Sequence, residues 1–158
     1  MFDRLSNLIS PRDSFTPGAI VVAAAGNESR RDQDERYRIA TSPPAAAEQF
    51  LSVAAVGETG DAHRPYVIAP FSNQGARVAA PGVEIWSAKL EGGLIDQEGT
   101  SMATPHVAGV AALWAEKLTK ETRRFRAAEV IARLEGNARL TAGLDVSDVG
   151  VGIVQAPR

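Results

Sequence analysis

Cysteine is absent from the 158 residues, which excludes disulfides, thiolate metal sites and a cysteine nucleophile. Histidine is scarce. With only 2 in the chain, imidazole chemistry has two candidates, His63 and His106. No excess of basic residues exists: 17 Lys and Arg stand against 19 Asp and Glu, giving a net charge of −2 and no footprint for nucleic acid. Long apolar runs are missing too. The longest, Ala19 to Ala25, is strand-sized and falls far short of the roughly 18 residues that cross a bilayer, so no membrane partner is expected. The opening MFDRLSNLIS sets Asp3 and Arg4 in an amphipathic pattern and lacks the apolar stretch of a secretory signal. Lack of cysteine leaves the compartment open, because larger secreted enzymes often manage without it.

What is present reads as a globular protein. The hydrophobic share of 44% and charged share of 23% suit a single domain with a sizeable core, taken as residues 1–158. Phe2, Leu5, Leu8 and Ile9 predict a short helix that Ser10-Pro11 closes. GAIVVAAAG (18–26) and FLSVAAVG (50–57) are continuous apolar runs, the pattern of strands buried on both faces of a parallel sheet. Between them lie ESRRDQDERYR (28–38), expected as a solvated surface loop, and the turn-rich TSPPAAAEQ (41–49). GETGDAHRP (57–65) reads as another loop.

Short strands follow around Arg77–Ala80 and Glu84–Ala88, split by a Pro81-Gly82 turn. Helical spacing of Val107, Val110, Ala111, Trp114 and Leu118 predicts a helix from Pro105 to Leu118. A second helix is expected over Ala127–Leu134. Strands alternating with helices indicate an α/β fold.

The chemistry gathers in GTSMATPHVAG (99–109). Gly99 permits close backbone approach, and Ser101 falls at the amino end of the Pro105 helix or just before it. There the helix dipole and free N–H groups favour developing negative charge. Two readings are open: Ser101 as a helix cap, the commoner use of serine before a helix, or Ser101 as a nucleophile. In VVAAAGNES a buried strand ends at Gly26-Asn27. The Asn27 amide can donate to an oxyanion at the carboxyl end of a strand, where α/β folds build sites. Its bland reading is a turn asparagine.

Taken together, these segments resemble the subtilisin-like serine peptidases, the subtilases. GTSMATPHVAGVAAL is similar to the motif around that family's nucleophile. AAAGNES is similar to the stretch carrying its oxyanion-hole asparagine. SPPAAAEQFLSVAAVG, FSNQGARVAAPGVEIWSA and GVGIVQA resemble the segments that follow in order, so the likeness covers nearly the whole chain. It implies a partial doubly wound, mostly parallel sheet with flanking helices. It also implies Ser101 as nucleophile, Asn27 and the Ser101 N–H as oxyanion donors, and Ala24, Ala25 and Gly26 as walls of the primary specificity pocket. The implied substrate is a peptide or protein, and the family suggests secretion.

The departures from the family carry equal weight. An imidazole must take the serine proton and a carboxylate must orient that imidazole. In the family these lie upstream, in Asp-[ST]-Gly and His-Gly-Thr-His motifs, and neither motif occurs here. Met1 falls near the start of the helix that precedes the oxyanion strand, so the expectation is a carboxyl-terminal half, inactive alone, whose complementary amino-terminal half carries Asp and His. The rival is a non-catalytic binding or structural module derived from the same fold.

Neither histidine is expected to substitute. His106 lies five residues after Ser101, roughly 140° around a helix, and His63 sits in a polar loop. Asp96 and Glu98 are read as solvated carboxylates. Calcium is a family habit, but no dense oxygen-ligand spacing appears, so no cofactor and no ligand set are assigned.

Overall fold

The structure is a computed structural model that describes residues 1–4 and 18–158. Its elements run β1 (Val22–Ala24), β2 (Leu51–Glu58), β3 (Tyr66–Ile68), β4 (Val78–Pro81), β5 (Ile85–Ala88), β6 (Leu94–Gln97), α1 (Thr100–Thr122), α2 (Ala127–Gly136) and α3 (Val146–Val149). Residues 2–4 are helical, and the remainder of the helix expected from Phe2 to Ile9 lies outside the described residues.

The apolar run at 50–57 becomes the central strand, buried from Leu51 through Gly57. It pairs in parallel with β1 (Ala24 beside Val53) and with β4 (Val53 beside Val78). It pairs antiparallel with β3, Val56 facing Ile68. Val53 touches both β1 and β4, so those two lie on opposite edges of β2. Val56 touches both β3 and β4, so β3 continues the β1 edge. The sheet is therefore mostly parallel, as the alternating elements predict. The outer edge of β4 is covered by residues 152–154: the Ala79 N–H donates to the Gly152 carbonyl (2.9 Å) and the Val154 N–H to the Ala79 carbonyl (3.1 Å).

Alternation along β2 sends its side chains into two apolar layers. Leu51, Val53 and Ala55, with Val78 and Ala80 of β4, pack under Ala103, Val107, Ala111, Trp114 and Leu118 of α1 and Val130 and Leu134 of α2. Ala54 and Val56 pack with Ala25, Ala79, Val149 and Ile153 on the opposite face. Helices thus flank both faces, which is the α/β layering of a doubly wound sheet.

Three elements differ from expectation. The helix read from Pro105 begins at Thr100, and Pro105 sits inside it. The charge cluster at 28–38 is not solvated throughout. Ser29 is fully buried, and the Arg31 side chain, 8% exposed, forms an ion pair with Asp148 at 2.6 Å. Third, β1 is only half-buried at Val22 and Ala24, although its composition is that of a strand covered on both faces.

Candidate active site

The site is assembled where β1 ends and α1 begins. Gly99, the residue before the helix, adopts φ 150° and ψ 158°, a region that essentially only glycine occupies. From there the chain enters the helix at Thr100, with Ser101 second. No side chain of the helix's own sequence caps this end. The cap comes from β1's exit instead: Asn27 Oδ1 accepts the Thr100 N–H (2.9 Å) and the Thr100 hydroxyl (2.9 Å).

This arrangement settles what Ser101 is not. It lies inside the helix rather than at the capping position, so the cap reading fails. As the second helical residue, Ser101 carries one of the four N–H groups that no preceding turn can satisfy. Its side chain is exposed. Because Asn27 satisfies the helix start from outside, the helix begins five residues earlier than the proline suggests. Pro105 then removes only the bond its own N–H would make to the Ser101 carbonyl, four residues back.

Thr100 was not singled out from the sequence, yet it ties the two halves of the site together. It is fully buried, and its hydroxyl accepts the Gly26 N–H (3.2 Å) while donating to Asn27 Oδ1. With Oδ1 occupied twice, the amide NH2 of the exposed Asn27 is the free end of that side chain. Gly26 also needs its glycine: at φ 112° an added Cβ would lie 2.4 Å from Asn73 Nδ2 and 2.5 Å from Glu28 Oε2.

Asn73 is buried below. It donates to Glu28 Oε2 (2.6 Å) and to the Ala25 carbonyl (3.3 Å), and accepts the N–H groups of Glu28 and Ser29 (3.1 Å each). This lattice holds the strand exit in one shape. Of the three residues assigned to a pocket wall, Ala25 is fully buried and its methyl belongs to the core, while Ala24 and Gly26 are half-buried.

On its other side Ser101 borders a cleft of about 380 Å³ formed with Ile85, Trp86, Gln97, Met102 and His106. His106 is exposed there, but its Nδ1 lies 2.9 Å from the Met102 carbonyl of its own helix. His63 is held far along the chain in the 59–65 loop, its N–H donating to Asp61 Oδ1 (2.8 Å). Asp96 and Glu98 are exposed. His106 thus shares the cleft with Ser101 while its Nδ1 is turned to its own helix, and His63 is not among the residues lining that cleft. Among the described residues no three His, Asp or Glu side chains gather in one place. No helix among them is long and apolar enough to cross a membrane.

Ser101 therefore stands second in a helix whose first residue is hydrogen-bonded to an asparagine at a strand exit. In comparison with known proteins, the profile of the Subtilase family matches residues 4–152. The chain belongs to the subtilase family. A subtilisin-like protease of Coccidioides posadasii is 40% identical over 135 residues, which are 83% of this subtilase chain and 30% of that protein. The extracellular basic protease of Dichelobacter nodosus is 35% identical over 99% of the chain and 24% of its own length. Among solved structures, the prenylagaramide maturation protease PagA superposes with a TM-score of 0.69 at 30% identity. The match covers 87% of this subtilase chain and 48% of that one. The chain thus spans only part of each relative.

Proposed function

We propose that the chain is the carboxyl-terminal part of a subtilase catalytic domain and contributes the nucleophile Ser101 and the oxyanion donor Asn27 to peptide-bond hydrolysis. The observation that supports this reading is the pair of hydrogen bonds that the Thr100 N–H and hydroxyl donate to Asn27 Oδ1, which ties Asn27 to the residue next to Ser101 and leaves its amide NH2 free. In the reaction, Ser101 Oγ attacks the substrate carbonyl as an imidazole takes its proton. The carbonyl oxygen becomes negative and receives hydrogen bonds from the Asn27 amide and the Ser101 N–H. Collapse expels the amine, which takes the proton from the imidazole, and water then cleaves the acyl-enzyme by the same route. No metal or organic cofactor enters these steps. Ala24 and Gly26 border the substrate's acyl side chain, with Ala25 contributing its backbone.

The imidazole and its orienting carboxylate must come from the amino-terminal part of a subtilase domain, so 1–158 alone should be nearly inactive. Export from the cell is proposed from the relative named as an extracellular protease. The test uses a fluorophosphonate probe. Without a base, Ser101 has the nucleophilicity of an ordinary alcohol, so purified 1–158 should be labelled no faster than its Ser101→Ala variant. Rapid Ser101-dependent labelling of 1–158 would refute the need for an outside base. If labelling stays absent even with a bound amino-terminal half, the non-catalytic module is the better reading.

A further inference from the structure

The far end of α1 opens a stretch whose charge differs from that of the rest of the chain. From Lys117 to Arg139 seven Lys and Arg residues stand against three Glu residues, although the whole chain carries −2. Of those three, Glu135 is already paired with Arg77 at 2.7 Å. The potential over this pole is therefore positive. It lies far from Ser101, because Lys117 comes four and a half turns later in the same helix, roughly 24 Å along its axis.

A recess of about 490 Å³ opens at this pole, where α1, the turn after α2 and the closing segment meet. Lys117, Arg139 and Arg158 line it with Trp114, Asn137 and Gln155, and among the described residues no carboxylate does. Neither Arg139 nor Arg158 forms an ion pair there. Lys117 is held in place, its Nζ 2.7 Å from the Arg158 carbonyl and 5.9 Å from the centre of the Trp114 ring. Cations gathered without a counter-charge repel one another, and an anion among them relieves that repulsion. The two amides add an independent feature. Asn137 Nδ2 donates to the Arg133 carbonyl at 2.7 Å, and Gln155 Nε2 to the Ile153 and Val154 carbonyls at 3.1 and 3.0 Å. Both NH2 groups are thus turned to the main chain, while Asn137 Oδ1 and Gln155 Oε1 accept no hydrogen bond among the described residues. An open amide oxygen is an acceptor for a hydroxyl.

We propose that this recess binds a small phosphorylated polyol, a compound that couples a dianionic phosphate to hydroxyl groups. The Arg139 fork and the charges of Lys117 and Arg158 take the phosphate. The two amide oxygens take the hydroxyl protons. The volume is that of a site for a small organic molecule and exceeds the needs of a bare phosphate. A molecule bound there bridges α1, the 137–139 turn and the 155–158 segment, so it stabilises the folded chain by mass action. The site is independent of the catalytic reading of Ser101.

The experiment titrates 1–158 calorimetrically with glycerol phosphate, and with inorganic phosphate, glycerol and chloride at matched ionic strength. Glycerol phosphate should bind saturably, at least about tenfold more tightly than inorganic phosphate, and raise the Tm. Glycerol and chloride should do neither. The indole N–H of Trp114, which donates to the Gln155 carbonyl at 2.9 Å, should shift in the NMR spectrum on binding. That of Trp86, beside Ser101, should stay still. Arg139→Gln should weaken binding at least about tenfold. Its side chain is exposed and its main chain makes the bond to Ile153, so the variant should keep the Tm of the unliganded parent. Arg123→Gln, the same change of charge outside the recess, should leave affinity nearly unchanged because exposed charges are screened. Equal weakening by both variants makes the attraction diffuse and overturns the site. Equal affinity for inorganic phosphate and glycerol phosphate overturns the polyol. No saturable binding, or a shift at Trp86 instead of Trp114, overturns the proposal altogether.

Discussion

A single buried hydroxyl, that of Thr100, links Gly26, Asn27 and the start of α1. Replacing it with valine keeps the shape but strands the Gly26 N–H, and a buried polar group left unpaired costs about 1–3 kcal/mol. Thr100→Val should lower unfolding free energy in urea by that amount, while Thr100→Ser should stay near the parent. A loss in Thr100→Ser with none in Thr100→Val would show that the methyl group, not the hydroxyl, matters. Asn27→Ala predicts a kinetic effect instead. In a complemented enzyme it should leave KM nearly unchanged and lower kcat, because the amide acts on charge present only in the transition state. Loss of such a donor in a subtilisin costs roughly 10²–10³ in turnover, a size carried over from that relative. A raised KM at constant kcat would contradict the role. Ser101 and Asn27 stood out in the sequence because glycine, small residues and a strand exit surround them, and the family likeness gave them their expected roles. Thr100 was not, because its significance is burial, which the long-range contact with residues 26 and 27 creates.

At the scale of elements, continuous apolar runs located the central strand and periodicity located both long helices. β3 and β6 are short, irregular in pattern and half-exposed or exposed, so neither run nor alternation marks them. The start of α1 was hidden by Pro105, since its true cap, Asn27, comes from 73 residues away. The short α3 has a local signal that was passed over: Asp145 caps it by accepting the Ser147 N–H at 2.8 Å. That bond, with a smaller contribution from Arg38, holds the Asp145 carboxyl below its ordinary value. A depressed folded pKa gives stability above the unfolded value, lost as pH falls through the folded one. The Tm of the parent should therefore drop relative to Asp145→Asn below about pH 4. Parallel Tm curves through that range would show that the charge contributes nothing there.

The whole molecule is held by contacts between distant parts of the chain. Arg31 and Asp148, both nearly buried, join the loop after Asn27 to α3. Removing one partner leaves the other charge uncompensated, at a cost of about 3–5 kcal/mol. Asp148→Ala should show that loss in urea denaturation, and Arg31→Met/Asp148→Leu should regain most of it. If the double variant is as unstable as the single one, the pair has some further role in the fold. Such pairings are invisible in a charge cluster, which gives no hint of which arginine turns inward.

The stitch of Ile153 between Ala79 and Arg139 has a consequence for how the protein is made. Residue 153 leaves the ribosome long after β4, so during synthesis β4 waits with one edge bare while everything from β5 to α3 is added. The sheet closes only when this late segment arrives. Closing this edge is then a late step in folding, its rate set by a far-reaching contact.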